Sequence, residues 1–221
     1  GAGPPVTTVL LLGATGRVGG QVLRLALAHP QVSRVVAPTR RPLAVPAAGR
    51  LQNPVVDFER LPPDADWWRA DAALCALGTT MKLAGSQAGF RRVDHDYVLE
   101  AAGLARRAGT PVFVLNSSLG ADPDSRNFYL RVKGEAERDA RALGFESLTI
   151  VRPSLLDAGP RPDFRLGETL GLAAARLLGP LIPRRYRPVA AAAVARVMLD
   201  AAMRAAPGMR VIESDALAGT G

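Results

Sequence analysis

Tyr129 and Lys133 stand four residues apart in Tyr129-Leu130-Arg131-Val132-Lys133, inside a stretch whose pattern reads as a helix. The chain holds three tyrosines and two lysines, so this pairing draws on two scarce residue types. At that spacing both side chains fall on one helical face, one turn apart. An ammonium beside a phenol stabilises the phenolate, and a tyrosine so placed can give or take a proton at a carbonyl or alcohol oxygen. Y-x-x-x-K by itself carries little weight, because a surface Tyr-Lys pair has the same spacing. It gains weight from Ser117-Ser118, which end a strand-like run just upstream, and from a glycine-rich loop near the start of the chain.

That loop is Gly13-Ala14-Thr15-Gly16-Arg17-Val18-Gly19. It follows a strand-like run and opens a helix, the context a dinucleotide loop requires. Gly13 permits the tight turn, Gly16 lets backbone approach a pyrophosphate, and Gly19 lets the helix pack closely on the strand. Free N–H groups at the helix start, over Thr15 to Val18, then meet phosphate. The spacing is G-x-x-G-x-x-G, and no Gly-Lys-Ser/Thr follows that would make a P-loop. The competing reading is a glycine turn that binds nothing. After the second strand-like run come Thr39-Arg40-Arg41. An acid there would bind a ribose 2′-hydroxyl, whereas guanidinium suits a 2′-phosphate. With Arg17 in the loop, this favours NADP(H) over NAD(H), against a bland alternative in which the arginines decorate a solvated turn. By position, Asp57-Phe58 can reach an adenine, although Asp57 can equally cap a helix. Leu77-Gly78-Thr79-Thr80 can line the nicotinamide-side ribose.

Strand-like and helix-like segments alternate to position these residues, which predicts α/β architecture with a parallel sheet covered by helices on both faces. Strands are expected at Val6–Leu12, Val32–Ala37, Pro54–Asp57, Ala72–Leu77, Val112–Asn116 and Leu148–Arg152. Helices are expected at about Arg17–Ala28, Gly89–Ala108 and Asn127–Leu143, the last stopped by Gly144. Beyond Pro153 a Gly/Pro-rich loop leads to two alanine-rich helices near Glu168–Leu178 and Val189–Ala205, then a strand at Met209–Ile212. The chain reads as one domain over 1–221, with about 153–208 as a small substrate-side lobe at the carboxyl edge of the sheet. Those tail helices can pack on the sheet or on another subunit, so a homodimer is open.

Composition narrows the partners. The net charge is +8, but of 28 basic residues only two are lysine. Such a bias fits a GC-rich coding sequence better than a selected basic surface. Aromatics are few and not interleaved with arginine, so no nucleic-acid partner is expected. No leader and no apolar run long enough to span a bilayer is read, and no membrane partner is expected. Cys75 is the single cysteine and lies in an apolar run, which suits a buried thiol and a reducing cytoplasm. With His29 and His95 far apart and one cysteine, no metal site is expected. No G-x-S-x-G elbow supports a serine hydrolase.

Leu77-Gly78-Thr79-Thr80, Phe90-Arg91-Arg92-Val93-Asp94, Asn116 to Asp122, Tyr129 to Glu135 and Arg152-Pro153-Ser154-Leu155-Leu156 together resemble the short-chain dehydrogenase/reductase superfamily in its atypical or extended branch. The closer likeness is to the Tat-interacting-protein oxidoreductase family and its small bacterial relatives, and it runs from Val6 to about Ser214. The resemblance implies a Rossmann-like doubly wound parallel sheet with a small C-terminal lobe, an NADP(H) cofactor and a Ser-Tyr-Lys centre. Tyr129 would be the acid/base, Lys133 would tune it and hold the nicotinamide ribose, and Ser118 or Ser117 would orient the substrate oxygen. Arg40 and Arg41 would meet the adenosine phosphate, and Pro153, Leu156 and Arg165 match cofactor contacts. Where many members carry an asparagine in the helix before the fifth strand, this chain carries Asp94.

An oxidoreductase acting on a small carbonyl or alcohol substrate is the function so implied. A second class is an NADPH-binding sensor that recognises a protein partner. The intact Tyr129, Lys133 and serine pair favour the enzyme, since a sensor does not need them. Epimerase or dehydratase chemistry uses the same centre, usually with a larger carboxyl-terminal lobe than this chain offers.

Overall fold

A computed structural model describes residues 5–44, 49–154, 156–157 and 189–217 of the chain. The apolar run near the start forms β1 (Thr8–Leu12), and the glycine loop leads directly into α1 (Arg17–Ala28). Then come β2 (Arg34–Val36), β3 (Leu51–Gln52), a 3₁₀ turn at Asp66–Trp68 and β4 (Ala72–Cys75). Two short helices follow, α2 (Met81–Ala84) and α3 (Gln87–Arg91). A π-helical stretch, Arg92–Tyr97, connects α3 to α4 (Val98–Arg107). The second half contains β5 (Val112–Asn116), α5 (Phe128–Ala142), β6 (Ser147–Arg152), β7 (Leu156–Asp157), β8 (Val189–Ala190), α6 (Ala191–Arg204), β9 (Gly208–Glu213) and α7 (Ser214–Leu217).

Seven strands form one parallel sheet in the order β3-β2-β1-β4-β5-β6-β9, and β7 pairs with β8 in a separate two-stranded parallel unit. The order reverses direction between β1 and β4, and open α/β sheets bind ligands outside the carboxyl ends of strands at such a point. Register brings the ends level: Leu12 pairs with Cys75, and Cys75 with Leu115. Gly13, Ala76 and Asn116 therefore emerge side by side at one edge.

Alternation along each buried strand splits the core in two. Val9 and Leu11 face α1 and α6, where Val18, Val22, Ala26, Val194, Met198 and Leu199 are buried. Leu10 and Leu12 face α4, α5 and the Trp67-Trp68 turn. The indole N–H of Trp68 donates to the Pro62 carbonyl at 2.7 Å, which satisfies its polar edge.

Three expectations change. The third strand is Leu51–Gln52 rather than Pro54–Asp57; Val55 contributes only an isolated bridge to Thr39. Pro54 has no N–H to give a ladder, which moves regular pairing upstream. The helix expected at Gly89–Ala108 is α3, a π stretch and α4 in succession. Helix α6 packs against α1 beneath the sheet, so residues 189–204 of the expected substrate-side lobe belong to the main body. The helix expected near Glu168–Leu178 lies outside the described residues.

Candidate functional site

The glycine loop is built for close contact. Gly13 adopts φ +88°, and a Cβ there would lie 2.5 Å from the Ala76 carbonyl carbon. A Cβ on Gly19 would lie 1.8 Å from the Gly13 oxygen. The loop thus presses on both the end of β4 and the first turn of α1. Gly16, the N-cap of α1, supplies no side-chain cap, and no acid stands in the first turn. Helix N–H groups and the positive end of the dipole face outward, as an anion requires.

This loop walls one side of a cavity of about 500 Å³ lined by Gly13, Thr15, Gly16, Arg40, Phe58 and Tyr97 among others. Phe58 and Tyr97 lie with ring centroids 5.6 Å apart at its far side. The Tyr97 hydroxyl donates to Glu59, and burial together with that carboxylate pushes its pKa up to about 12. Arg40 lines this cavity; Arg41 is exposed and lies outside the lining. The Arg41 carbonyl accepts the Thr39 hydroxyl at 2.6 Å, which holds the turn. Asp57 caps the following turn, accepting the Glu59 N–H at 2.9 Å, and leaves the wall to Phe58. Val18 is buried in the core and Arg17 is half-buried, both outside the lining.

A second cavity of about 840 Å³ shares Ala76, Leu77, Gly78 and Thr79 with the first. Its lining includes Asp94, Asn116, Ser117, Ser118, Tyr129, Lys133 and Pro153. Helix α5 brings Tyr129 and Lys133 there. Asn127 caps it by accepting the Leu130 N–H at 3.1 Å, and Gly144 ends it at φ +71°. Arg152 at the end of β6 grips buried Glu137 of α5 through two contacts, 2.9 and 2.6 Å, which fixes the helix on the sheet. The Tyr129 ring packs on Phe90 at 5.2 Å, and Lys133 Nζ sits 5.8 Å from its centroid.

Lys133 is buried against a charge. Its Nζ lies 2.7 Å from Asp94 Oδ1, and Asp94 Oδ2 accepts the Thr79 N–H at 2.9 Å. Burial presses the lysine pKa down, but the Asp94 carboxylate and Tyr129 outweigh it and hold the ammonium above its ordinary value. Cys75 lies nearby at the end of β4, where burial pushes the thiol up to about 12. Ser117 is 6% exposed and its N–H donates to Val151 at 2.7 Å. Among the described residues its hydroxyl and the Asn116 side-chain oxygen have no hydrogen-bond partner. Orphaned buried polar groups cost about 1–3 kcal/mol each, so both suit a water or a polar ligand in the cavity they line. Among the described residues the Ser118 hydroxyl reaches only the Leu119 carbonyl, at a long 3.4 Å.

Asp94 and Asn116 gained no role from the sequence, although a signal for each was present. Phe90, Asp94 and Val98 recur every four residues on a buried stripe, and Asn116 ends an otherwise apolar strand. Leu156 lies on β7, with its side chain outside the description, and Arg165 lies outside the described residues.

The loop, the switch point and the paired cavities define a dinucleotide-binding protein of the Rossmann class. The NAD(P)H-binding family profile matches residues 13–205, and the chain belongs to that family, within the atypical short-chain dehydrogenase/reductase superfamily. It is 38% identical over 184 residues to "Protein fmp52, mitochondrial" of Emericella nidulans, covering 79% of this chain and 77% of that one. It is 41% identical over 166 residues to "Protein HTATIP2" of Rattus norvegicus, covering 74% and 68%. These relatives are fungal and mammalian, where bacterial ones were expected. Among solved structures, MoeE5 in complex with UDP-glucose and NAD shares the fold with a TM-score of 0.68 at 18% identity, covering 96% of this chain and 79% of that one. The PhqB reductase domain of Penicillium fellutanum gives 0.67 at 19%, covering 95% and 67%. Among the described residues no helix is long and apolar enough to cross a membrane.

Proposed function

We propose that the chain is an NADP(H)-dependent oxidoreductase that interconverts a small carbonyl compound and its alcohol. The observation that carries the reading is the gathering of Tyr129, Lys133, Ser117 and Ser118 in one cavity that shares a wall with the glycine-loop cavity. The nicotinamide supplies hydride chemistry when bound. Gly13, Thr15 and Gly16 cradle the pyrophosphate, and Arg40 stands where a 2′-phosphate would lie. Phe58 and Tyr97 wall the adenine, and Leu77, Gly78, Thr79 and Pro153 line the path to the second cavity. Ser117 and Ser118 orient the substrate oxygen, and Tyr129 Oη exchanges a proton with it while Lys133 holds charge beside the phenol. The proposed compartment is the cytoplasm, which suits a buried free cysteine; the fungal relatives' mitochondrial names give the competing address, and cell fractionation decides between them.

Parallel titration with NADPH and NADH tests the cofactor, and a carbonyl screen with Tyr129→Phe as control tests the chemistry. Tight NADPH binding, weak NADH binding and turnover that collapses in Tyr129→Phe while NADPH still binds are expected. Binding of neither nucleotide would sink the reading.

A further inference from the structure

Leu83 on α2 is 78% exposed, the most exposed large apolar side chain among the described residues, and Met81 on the same turn is 39% exposed. A leucine exposed by itself is ordinary. Its place is not. Leu83 and Ala84 line the first cavity together with Gly13, Thr15 and Gly16, while Thr79 and Thr80, just before α2, line the second. Helix α2 therefore stands where the two cavities meet, over the stretch that joins the glycine loop to the Tyr129 side.

The segment is fastened at both ends and lightly held between them. The Thr79 N–H donates to the buried Asp94 carboxylate at 2.9 Å. Beyond Ser86 the chain enters α3, whose Phe90 is fully buried with its ring 5.2 Å from that of Tyr129. Between these points α2 is one turn of four residues, too short to hold itself in water. Local caps keep it wound: the Thr80 hydroxyl accepts the Leu83 N–H at 3.1 Å, and Gly85 ends the turn at φ +75°. A Cβ on Gly89 would lie 2.7 Å from the Ala84 oxygen, so the end of α2 rests on the backbone of α3. An exposed turn with so few ties opens and recloses at low cost.

We propose that Leu83 is a further binding residue, carried on α2 as a lid, and that it turns from solvent onto the bound dinucleotide where the two cavities meet. The proposal rests on the reading of an NADP(H) site given above. An aliphatic side chain suits this place. It gains affinity by burial, and it keeps water out of the second cavity. It reads no 2′-phosphate, so its contribution is the same for either nicotinamide nucleotide.

The placement of the two lysines supplies the test. Lys82 is exposed on α2, and Lys133 is buried in α5. A lysine-specific endoprotease acting on the full-length folded protein should therefore cut after Lys82, and any cut after Lys133 reports global unfolding. Saturating NADPH, with occupancy read by its fluorescence, should slow the cut after Lys82 at least about tenfold. Leu83→Ala keeps the fold, because the side chain it trims is exposed. It should raise the Kd of NADPH and of NADH alike by about 5–10-fold, and Leu83→Met should bind as the parent does. At saturating NADPH, Leu83→Ala should still be cut after Lys82 at least about three times faster than the parent. NADPH that occupies the parent and leaves the cut after Lys82 unslowed overturns the proposal. So does Leu83→Ala binding NADPH within about twofold of the parent. A parent that binds neither nucleotide defeats the oxidoreductase reading and the lid together, whereas bound NADPH with Lys82 unprotected removes the lid alone.

Discussion

A methyl group added at Gly19 and, separately, at Gly20 distinguishes a loop built for close packing from one that merely turns. A Cβ on Gly19 would lie 1.8 Å from the Gly13 oxygen, 2.6 Å from the Gly13 carbonyl carbon and 3.2 Å from the Ala14 Cα. All three are backbone atoms, so no side chain can swing away. A Cβ on Gly20 would meet the Ala14 oxygen at 3.5 Å, an ordinary contact. Both positions lie inside α1, where alanine is favoured over glycine by about 0.5–1 kcal/mol. Gly20→Ala should therefore stabilise the protein by up to about 1 kcal/mol, or about 2–4 °C in Tm for a chain of this size. At Gly19 the same gain is opposed by overpacking of about 1–3 kcal/mol, giving a net loss of up to roughly 2.5 kcal/mol. The effect on binding should be larger, because relieving the overlap drives the first turn of α1 away from the Gly13–Gly16 turn and separates the N–H groups proposed to hold phosphate. We expect the NADPH Kd to rise at least about 100-fold, some 2.8 kcal/mol. Chemical denaturation reads the first quantity and nucleotide fluorescence the second. Gly19→Ala binding NADPH within about threefold of the parent would refute the close-packing argument. So would Gly20→Ala weakening binding as much as Gly19→Ala.

Other perturbations probe separate parts of the site. Arg40→Ala should weaken NADPH by about 10–100-fold and leave NADH nearly unchanged, whereas Arg41→Ala should change neither; equal losses in the two variants would reject the assignment of Arg40. Glu137→Ala strips Arg152 of its two-contact partner and should cost about 3 kcal/mol in denaturant unfolding, against under about 1 kcal/mol for Glu213→Ala at the more exposed end of the network. Cys75 stays protonated in the fold up to about 12 while a free thiol ionises near 9.0. Stability should thus fall as pH rises from about 9 toward 12, by up to ~1.4 kcal/mol per unit, and Cys75→Ala should remove that share of the slope. An alkaline slope that Cys75→Ala leaves intact would assign the loss to other groups.

The elements that carry the site were legible because their signals are local. An apolar run, then glycines at 13, 16 and 19, then an amphipathic stretch placed β1 and α1, and α1 runs over the expected Arg17–Ala28. Helix α5 likewise followed from its Asn127 cap and Gly144 stop. What escaped was decided by tertiary packing. Strand β3 shifted upstream because Asn53 is drawn into the loop, donating to the Ala37 carbonyl at 2.7 Å and accepting the Leu43 N–H at 2.8 Å. The same clamp shapes the turn that carries Arg40, a coupling no local pattern encodes. The π stretch was hidden for a related reason: its propensities are those of a helix, and only the need to bring a carboxylate onto a lysine of another helix distinguishes it. Spacing nevertheless held a clue. Asp94 falls between Phe90 and Val98 on a buried stripe, and a buried carboxylate requires either a cation or several N–H donors. Read that way, the stripe asks which cation can reach it. Of the two lysines in the chain, Lys133 is the one already assigned to the proton centre. The acid at this position is then no stray surface charge: its side chain is 1% exposed and lies 2.7 Å from Lys133 Nζ. Its contact with Lys133 joins the π stretch to α5, and so it bears on the packing of that helix beside the second cavity.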